Sequence, residues 1–191
     1  MMTPLLFNLK NKKVLVVGGG KVATRRIATL FENGARIICV SLDFSHYLKK
    51  TQDEGLTLIE GSYDRNQLEN IDLVVAATNS EAMNAQIKND CKLLGIWCNR
   101  VDSPEESDFI FPSVIRRGDL TLSVCTEGAS PSLTKAIVED LSLHYDESYI
   151  ERTALLRECR KRILEKKVDP QMLKDLVNYS NEALKEQLKK Y

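Results

Sequence analysis

Near its amino terminus the chain reads Lys13-Val14-Leu15-Val16-Val17-Gly18-Gly19-Gly20-Lys21-Val22-Ala23. The apolar residues before the glycines predict a strand, and the apolar periodicity after them predicts a helix. As a G-x-G-x-x-A motif, the stretch places Gly18 at a sharp turn, Gly20 where a side chain would block a pyrophosphate, and Ala23 where helix and strand pack closely. The first amides of the helix, those of Lys21 and Val22, would then face the phosphates. The pattern favours a dinucleotide-binding domain, and the alternative is a glycine-rich turn that binds nothing.

The composition limits the classes of partner. The chain has 191 residues with 27 basic and 27 acidic side chains, so its formal net charge is zero. A neutral chain has no overall attraction to nucleic acid or to an anionic membrane, and any anion site must be local. Residues 1–9 lack the basic and apolar regions of a signal peptide, and no apolar run approaches the ~20 residues of a membrane span. We therefore expect a cytoplasmic protein with neither a membrane nor a nucleic acid as partner.

The five cysteines and two histidines form no recognisable metal motif. No two cysteines make a C-x-x-C pair, and their strand-like and helical surroundings are typical of small buried residues in a reducing compartment. Because no ligand spacing for zinc is present, the sequence leaves any metal unassigned.

Strands and helices alternate through the first half of the chain. This alternation predicts an α/β domain with a Rossmann-type, doubly wound parallel sheet that carries helices on both faces. Helices are expected up to Asn33, from Phe44 to Glu54, and from a capping box at Thr78-Asn79-Ser80-Glu81 to Leu94. The predicted strands are 13–17, Arg36–Val40, Leu56–Glu60, Leu73–Ala77 and Ile96–Val101.

The alternation stops near Pro112. Ser113–Arg117 and Leu120–Thr126 instead predict a hairpin around a Gly118-Asp119 turn. Ser130-Pro131 predicts the N-cap and the first residue of the next helix.

From Ser148 onward the chain reads as helix, with a second helix start at Asp169-Pro170. The charge cluster Arg157–Lys167 is either a solvated helix face or part of an anion site. We divide the chain into a nucleotide-binding domain of residues 1–112, a hairpin-and-helix segment of residues 113–147 and a helical domain of residues 148–191.

Candidate ligand residues follow the strands, because open parallel sheets bind ligands outside the carboxyl ends of their strands. Ser41, Leu42 and Asp43 follow the second strand, where a carboxylate holds the ribose hydroxyls of NAD and repels the extra phosphate of NADP. Since no arginine lies beside Asp43, the loop favours NAD without excluding NADP; alternatively, Asp43 is only the N-cap of the next helix. Thr78 and Asn79 follow the fourth strand, where they contact the cofactor or only cap a helix.

The loop after the fifth strand reads Asn99-Arg100-Val101-Asp102-Ser103-Pro104. Asn99 and Asp102 would lie near the nicotinamide end of a cofactor whose pyrophosphate rests on the glycine turn. An amide, a cation and a carboxylate there could orient the ring, pair with an anionic substrate and accept a proton. The alternative is that Asp-Ser-Pro forms an Asx turn without a catalytic role.

Five motifs, in one order and spacing, resemble a known family. They are Gly18-Gly19-Gly20-Lys21-Val22-Ala23-x-Arg25-Arg26, Ala76-Ala77-Thr78-Asn79, Asn99-x-Val101-Asp102-x-Pro104, Phe109-Ile110-Phe111-Pro112-Ser113 and Gly128-x-Ser130-Pro131. From about Leu5 to Tyr145 the chain resembles the precorrin-2 dehydrogenase family, which includes the amino-terminal region of siroheme synthase and the bifunctional dehydrogenase/ferrochelatases.

The resemblance implies NAD-dependent oxidation of precorrin-2 to sirohydrochlorin, in siroheme or cobalamin biosynthesis. It implies a homodimer in which Val114–Tyr145 forms much of the contact, which makes residues 113–147 a dimerisation segment. Asp102 matches the family's essential aspartate. The positions that match NAD-binding residues are Lys21, Val22, Leu42 and Asp43. Ferrochelatase activity and product transfer to a separate chelatase are left open, and the alternative class is an NAD-sensing regulatory module without catalysis.

The substrate implied by the resemblance is a polycarboxylate tetrapyrrole, so a neutral protein needs a local basic cleft. NAD would take a hydride, while Asp102, ionised at neutral pH, would take the proton or orient the ring. Many family members carry serine at the position of Thr126. The added methyl group of threonine leaves undecided whether this side chain contacts the substrate or a metal. The expected substrate residues are Arg25, Arg26, Arg100, Arg116, Arg117, Thr126, Ser130 and Lys135.

Overall fold

The computed structural model of the chain describes residues 2–51, 54–166 and 171–190. The chain divides into two compact units, Met1–Phe111 and Pro112–Tyr191. The helices and strands of the first unit are β1 (Lys13–Val17), α1 (Lys21–Glu32), β2 (Arg36–Ser41), α2 (His46–Lys50), β3 (Leu56–Glu60), β4 (Leu73–Ala76), α3 (Glu81–Leu94) and β5 (Trp97–Arg100).

The five strands of the first unit form one parallel sheet in the order β3-β2-β1-β4-β5. β1 lies at its centre, where the register places Val16 between Cys39 of β2 and Val75 of β4. This topology confirms the predicted α/β sheet, and it brings the loops after β1, β4 and β5 to neighbouring places on one edge.

Helices cover both faces of this sheet. Val14 of β1 belongs to a buried cluster with Ile27 of α1, whereas the next residue, Leu15, belongs to a second cluster with Ile87 of α3. Successive strand residues point to opposite faces, so a strand covered on both sides needs an uninterrupted apolar run. The apolar stretch before the glycines meets that requirement.

The second helix is shorter than predicted. α2 begins after Ser45, whose hydroxyl accepts a hydrogen bond from a helix amide, so Asp43 is not its N-cap. It ends before Thr51, which has an extended backbone and donates its hydroxyl proton back to a helix carbonyl. Residues 52 and 53 of the predicted helix lie outside the described residues, and Glu54 is in a turn.

The third helix begins at Glu81, two residues later than the predicted capping box implies, and it has a different cap. Ser80 accepts from the Met83 amide at 3.3 Å and is the N-cap, whereas the Thr78 hydroxyl donates to Asn84 at 2.7 Å. At the other end, Gly95 has φ +69° and ends the helix as predicted. β4 and β5 are slightly shorter than predicted because the chain leaves the sheet to form the loops described below.

In the described part of the second unit the elements are an antiparallel hairpin and four helices, with a core formed by α5, α7 and the 3-10 turn Leu176–Asn178. They are β6 (Ser113–Arg117), β7 (Leu120–Val124), α4 (Pro131–His144), α5 (Ser148–Glu165), α6 (Gln171–Asp175) and α7 (Asn181–Lys190). The buried core residues are Cys159, Ile163, Leu176 and Leu184. Ser130 is the N-cap of α4, as predicted, and the predicted helix start at Asp169-Pro170 lies outside the described residues.

The hairpin turn packs against α5. Gly118 has φ +59°, and a Cβ there would lie 2.8 Å from the Thr153 hydroxyl oxygen, so the turn has no room for a side chain. The Asp119 amide donates to the same hydroxyl at 3.2 Å. The hairpin and the helical tail therefore contact each other within one unit.

The charged residues of the helical tail form ion pairs at its surface. Arg157 pairs with Asp119, and Arg162 pairs with Glu158 at 2.8 Å. In the described part of the cluster Arg157–Lys167, these two pairs lie at the surface. Among the described helices, none is both long enough and apolar enough to cross a membrane.

All five cysteines are free thiols, and four of them are buried. Cys39 donates its thiol proton to the Gly18 carbonyl at 3.3 Å, and burial raises the pKa of that thiol to about 12. Cys125, on the loop after β7, is exposed. The prediction that most of the cysteines are small buried residues is confirmed.

Candidate cofactor site and active site

The three glycines after β1 differ in what surrounds their missing side chains. A Cβ on Gly18, which has φ +122°, would lie 2.2 Å from the Ala77 carbonyl oxygen, and one on Gly19 would lie 2.1 Å from the Asp43 carbonyl oxygen. Both glycines are therefore required by the fold. At Gly20, apart from its neighbours along the chain, no atom of the described residues lies within 4 Å of the missing Cβ, and its φ of −82° suits any residue. The open space at Gly20 is a cradle that a side chain would fill.

The helix that begins at this turn presents free amides to that space. The N-cap of α1 is Gly20, and no side chain caps the helix. The first four amides of a helix have no partner inside it, and they attract anions. Lys21 and Val22 are exposed, whereas Ala23 is fully buried against the sheet. The residues present therefore fit a cofactor diphosphate, with backbone donors at 21 and 22 and a packing role for Ala23.

The loop after β2 is fastened to the glycine turn. The Ser45 amide donates to the Gly19 carbonyl at 2.9 Å, and the hydroxyls of Ser45 and Thr24 are 2.9 Å apart. Ser41 donates to the Asp43 carbonyl at 2.6 Å, which shapes the bend. Leu42 is 73% exposed at its tip. The loop thus offers an apolar surface and a carboxylate next to the glycines.

Asp43 has a cationic neighbour that sequence reasoning missed. Lys49, one turn into α2, donates to its carboxylate at 2.7 Å, and the Phe44 amide donates at 2.8 Å. The hydrogen bonds from Lys49 and Phe44 hold the pKa of Asp43 below its usual range. The carboxylate is 82% exposed and remains accessible to ribose hydroxyls. In the sequence, the signal for this ion pair was Lys49, six residues after Asp43; it was missed because only an arginine was considered as the cation.

The loop after β4 is organised by a buried asparagine. Asn84 of α3 is fully buried, and its side-chain oxygen accepts from the Thr78 hydroxyl at 2.7 Å and from the Thr78 amide at 3.1 Å. The Thr78 side chain is therefore engaged by the protein, and Asn79 is exposed beside it. Sequence reasoning missed Asn84, although an asparagine in register with the apolar residues Ile87 and Cys91 was a signal of a buried polar role.

The loop that carries Asp102 folds back onto β5. The side chain of Asp108 accepts from the Cys98 amide at 2.8 Å, and the Asn99 amide group donates to the Phe109 carbonyl at 2.9 Å. The Ser107 hydroxyl accepts from the Arg100 amide at 2.8 Å. Asn99 is thus chiefly a loop-closing residue. Its side-chain oxygen is buried without a protein partner and fits a ligand group that donates a hydrogen bond.

Asp102 is held by the residue two positions before it. Arg100 is only 4% exposed; its Nη2 lies 2.9 Å from Asp102 Oδ2 and its Nε lies 3.3 Å from Oδ1. A further guanidinium nitrogen contacts Glu106. The pKa of Asp102 lies below its usual range, chiefly because of Arg100, while partial burial opposes the shift. The Asp102 side chain is 27% exposed, so an ionised carboxylate can reach a ligand.

This arrangement corrects the expectation for Arg100. The sequence presented it as a cation available to an anionic substrate, but the guanidinium is buried and occupied by two carboxylates. Arg26 is also partly occupied, since its guanidinium lies 4.4 Å from the centre of the Phe111 ring and burial lowers its pKa. Arg25 is exposed.

The remaining predicted substrate residues lie in the second unit. The Thr126 hydroxyl is 3.0 Å from that of Thr134, and the Ser130 hydroxyl accepts from the Leu133 amide, so both organise the start of α4. Arg117 lies 3.4 Å from Glu147 and Lys135 lies 3.7 Å from Glu139, while Arg116 is exposed on β6. Among the described residues, no group of three or more histidine, cysteine, aspartate or glutamate side chains is placed to hold a metal ion.

The chain is similar to known proteins in sequence and in fold. A family model described as "Putative NAD(P)-binding" matches residues 5–113. The chain is 39% identical over 160 residues to a precorrin-2 dehydrogenase of Priestia megaterium, a match covering 83% of this chain and 79% of that protein. A solved structure titled "SirC, precorrin-2 dehydrogenase" is 33% identical with a TM-score of 0.74, and the match covers 100% of both chains. A siroheme synthase of Enterobacter sp. (strain 638) is 37% identical over 139 residues, which are 72% of this chain and 30% of that protein.

Proposed function

Since the chain belongs to the family of precorrin-2 dehydrogenases and siroheme synthases, we propose that it oxidises precorrin-2 to sirohydrochlorin with NAD⁺ as acceptor. The substrate loses a hydride and a proton, and the products include NADH and H⁺. The proposal is carried by one observation: the uncapped start of α1 and the carboxylate of Asp102 follow strands β1 and β5 of the same parallel sheet. One strand lies between them, so their strand ends are about 10 Å apart.

The cofactor would be held by backbone groups and by the loop after β2. The amides of residues 21 and 22 would bind the diphosphate over Gly20, and Asp43 would accept hydrogen bonds from ribose hydroxyls. Ser41 and Leu42 would line the same ribose and base region, and Thr78, Asn79 and Asn99 would contact the cofactor beyond the diphosphate. NAD⁺, when bound, supplies the hydride acceptor.

Asp102 is the proposed catalytic residue. Its pKa lies below the usual range, so the carboxylate is ionised at neutral pH and can accept a proton or a hydrogen bond from the macrocycle. Hydrogen bonds from Arg100 leave a partly exposed oxygen surface for this purpose. A positioned general base of this kind contributes on the order of 10²- to 10⁴-fold in rate.

The carboxylates of the substrate call for cations outside the Arg100 pair. The proposed contacts are Arg25, Arg116, Lys135 and Arg117; Arg25 and Arg116 are exposed, Lys135 is paired at the surface with Glu139, and Arg117 is 19% exposed beside Glu147. Thr126 and Ser130 are proposed to contribute to substrate binding by shaping the loop before α4.

We also propose that the protein is a homodimer assembled through residues 113–147. α4 buries none of its residues within one chain, and it exposes Leu133 by 52% and Leu143 by 80%. Val114 of β6 is 44% exposed. A helix with apolar residues left exposed is typical of an interface. The cytoplasmic location, the ferrochelatase activity and the transfer to a separate chelatase stay predictions.

The proposed reaction is tested with anaerobically prepared precorrin-2. The protein and NAD⁺ are added while the NADH absorbance and the visible spectrum of the tetrapyrrole are followed. We expect NADH and sirohydrochlorin to form in equal amounts, and no NADH would overturn the proposal. The regulatory alternative predicts NAD binding without turnover, and the relatives reported above carry the names of enzymes.

The role of Asp102 is tested separately with Asp102→Asn, which keeps the shape of the side chain but removes its charge. We expect kcat to fall by about 10²-fold or more, with the Kd for NAD⁺ little changed, because the residue acts on the substrate side. Asp175→Asn, at an exposed aspartate of the second unit, is the matched control. Full turnover in Asp102→Asn would refute the assigned role.

A further inference from the structure

Arg100 is a buried cation whose donors are directed at a carboxylate that is more exposed than itself. Its side chain is 4% exposed, and that of Asp102 is 27% exposed. We propose that Arg100 is a positioning residue that holds the Asp102 carboxylate ionised and in one orientation for the reaction. This inference rests on the proposed function, because it assigns Arg100 a task only if Asp102 acts on the substrate.

The geometry suits orientation as well as charge. Nη2 and Nε of Arg100 approach different oxygens of Asp102, at 2.9 and 3.3 Å, so the two planar groups meet as a fork. A bidentate pair fixes the rotation of the carboxylate, which a single contact does not. The guanidinium is itself fixed, since another of its nitrogens contacts Glu106 and the Arg100 amide donates to Ser107 at 2.8 Å.

Asn84 of α3 adds a smaller, neutral influence on the same carboxylate. After the larger effect of Arg100, this fully buried residue also lowers the pKa of Asp102, while its amide group donates to the Thr78 carbonyl at 3.2 Å. The hydrogen bonds that hold the Asp102 carboxylate in place come from Arg100.

The charges around Asp102 show why a cation is needed there. The acidic residues Glu105 and Glu106 follow it in the same loop. On α3, Glu81 and Lys88 line a cavity of about 660 Å³ beside Arg100 and Glu106, and Lys88 is paired with Asp108. Arg100 therefore carries the positive charge in direct contact with Asp102. Without it, the carboxylate would be surrounded by glutamates, and its pKa would rise.

The experiment compares Arg100→Met, which removes the charge, with Arg100→Lys, which keeps it. In each folded, NAD-free variant the Asp102 carboxyl is titrated by carbon NMR, and kcat/KM is measured against pH. For Arg100→Met we expect the pKa of Asp102 to rise and the acidic limb of kcat/KM to move to higher pH by the same amount. A rise of one pH unit gives about a tenfold loss of rate below that limb. For Arg100→Lys we expect the pKa of Asp102 and the acidic limb of kcat/KM to return toward their wild-type positions, with kcat still lowered.

A matched control is Arg65→Met, because Arg65 is an exposed arginine whose nearest carboxylate, on Asp90, is 4.0 Å away. We expect it to leave the Asp102 titration unchanged. If Arg100→Met does not fold, Arg100→Lys still decides, since a pKa of Asp102 at its ordinary value in that variant would show that charge at this position has no effect.

The outcomes separate this inference from the proposed function. An unchanged Asp102 pKa in folded Arg100→Met, or equal shifts in the Met and Lys variants, would overturn the inference whatever the activity of Asp102→Asn. A raised pKa with an unmoved acidic limb would overturn the claim that Arg100 serves the reaction through Asp102. An active Asp102→Asn would overturn the assignment of Asp102 itself, while the NMR titration would still report on Arg100.

Discussion

At the residue scale, adjacent glycines are present for different reasons. Gly18 and Gly19 have no room for a side chain, because an added Cβ would lie 2.2 and 2.1 Å, respectively, from a backbone carbonyl oxygen of the protein itself. Around the missing side chain of Gly20, the part of the chain that the structure describes places no atom within 4 Å beyond its immediate sequence neighbours. The fold therefore explains two of the three glycines, and the proposed diphosphate site would explain the third.

This difference predicts opposite effects of substitution. We expect Gly20→Val to leave the melting temperature almost unchanged but to weaken NAD⁺ binding by at least tenfold, because the side chain fills the diphosphate space. Gly19→Ala should instead destabilise the protein, since its Cβ overlaps the Asp43 carbonyl. Calorimetric titration with NAD⁺ and thermal unfolding measure the two effects. Unchanged affinity in Gly20→Val would refute the assigned cradle.

The same scale shows what the sequence could reveal about the site. Local spacing was enough to select Gly20, Asp43 and Asp102, because the motif and the strand ends lie close to them along the chain. The pairing of Arg100 with Asp102 was missed because it depends on burial. The alternation of β5 carried a hint, since Arg100 shares a face with the buried Cys98.

At the element scale, strands were easier to predict than short helices. β1 and β3 have the predicted bounds because apolar residues between turn signals leave little choice of register. The five-residue α2 depends on the cap by Ser45 and on the extended Thr51. Neither the start nor the end of α2 follows from apolar periodicity, because so short a helix has too few residues to show a periodic pattern.

A prediction at this scale concerns Asp72, which joins the starts of β1 and β4. Its carboxylate accepts from Lys12 Nζ at 2.7 Å and from the Lys13 amide at 2.9 Å, and these contacts lower its pKa. We expect Asp72→Asn to lower the free energy of unfolding by about 1 kcal/mol at pH 7, a modest value because the pair is partly exposed.

The pH dependence of this effect has a definite sign. A carboxylate with a depressed pKa in the folded state stabilises the protein above its unfolded pKa of about 3.9, and the contribution is lost as the pH falls through the folded value. Urea unfolding should therefore show a difference between Asp72→Asn and the wild type at pH 7 that shrinks below about pH 4. Glu69→Gln, an exposed residue of the same unit, is the control. A difference that grew at low pH would contradict the assigned pair.

At the scale of the whole molecule, the architecture followed from the order of elements more than from any residue. Alternating strands and helices imply the parallel sheet, and the observed order β3-β2-β1-β4-β5 keeps the loops after β1, β4 and β5 together. The packing of the hairpin turn on α5 was not predicted, since contacts between distant segments leave no periodic trace in a sequence.

The proposed dimer gives the prediction for the assembled protein. We expect Leu133→Glu and Leu143→Glu to raise the dimer dissociation constant by at least tenfold, because each replaces an exposed apolar side chain of α4 by a charge. Sedimentation velocity over a range of concentrations measures this. Leu164→Glu, on α5 and 54% exposed, should leave the association unchanged. A monomeric wild-type protein at all concentrations would refute the dimer.

The distribution of the thiols has a practical consequence. Cys39, Cys91, Cys98 and Cys159 are enclosed, and Cys125 is open to solvent just after β7. In a single chain, a maleimide fluorophore would therefore attach at Cys125 without prior mutagenesis. The Cys125 thiol is therefore an attachment site for a single-molecule fluorescent probe, and it lies in the segment through which two copies are proposed to meet.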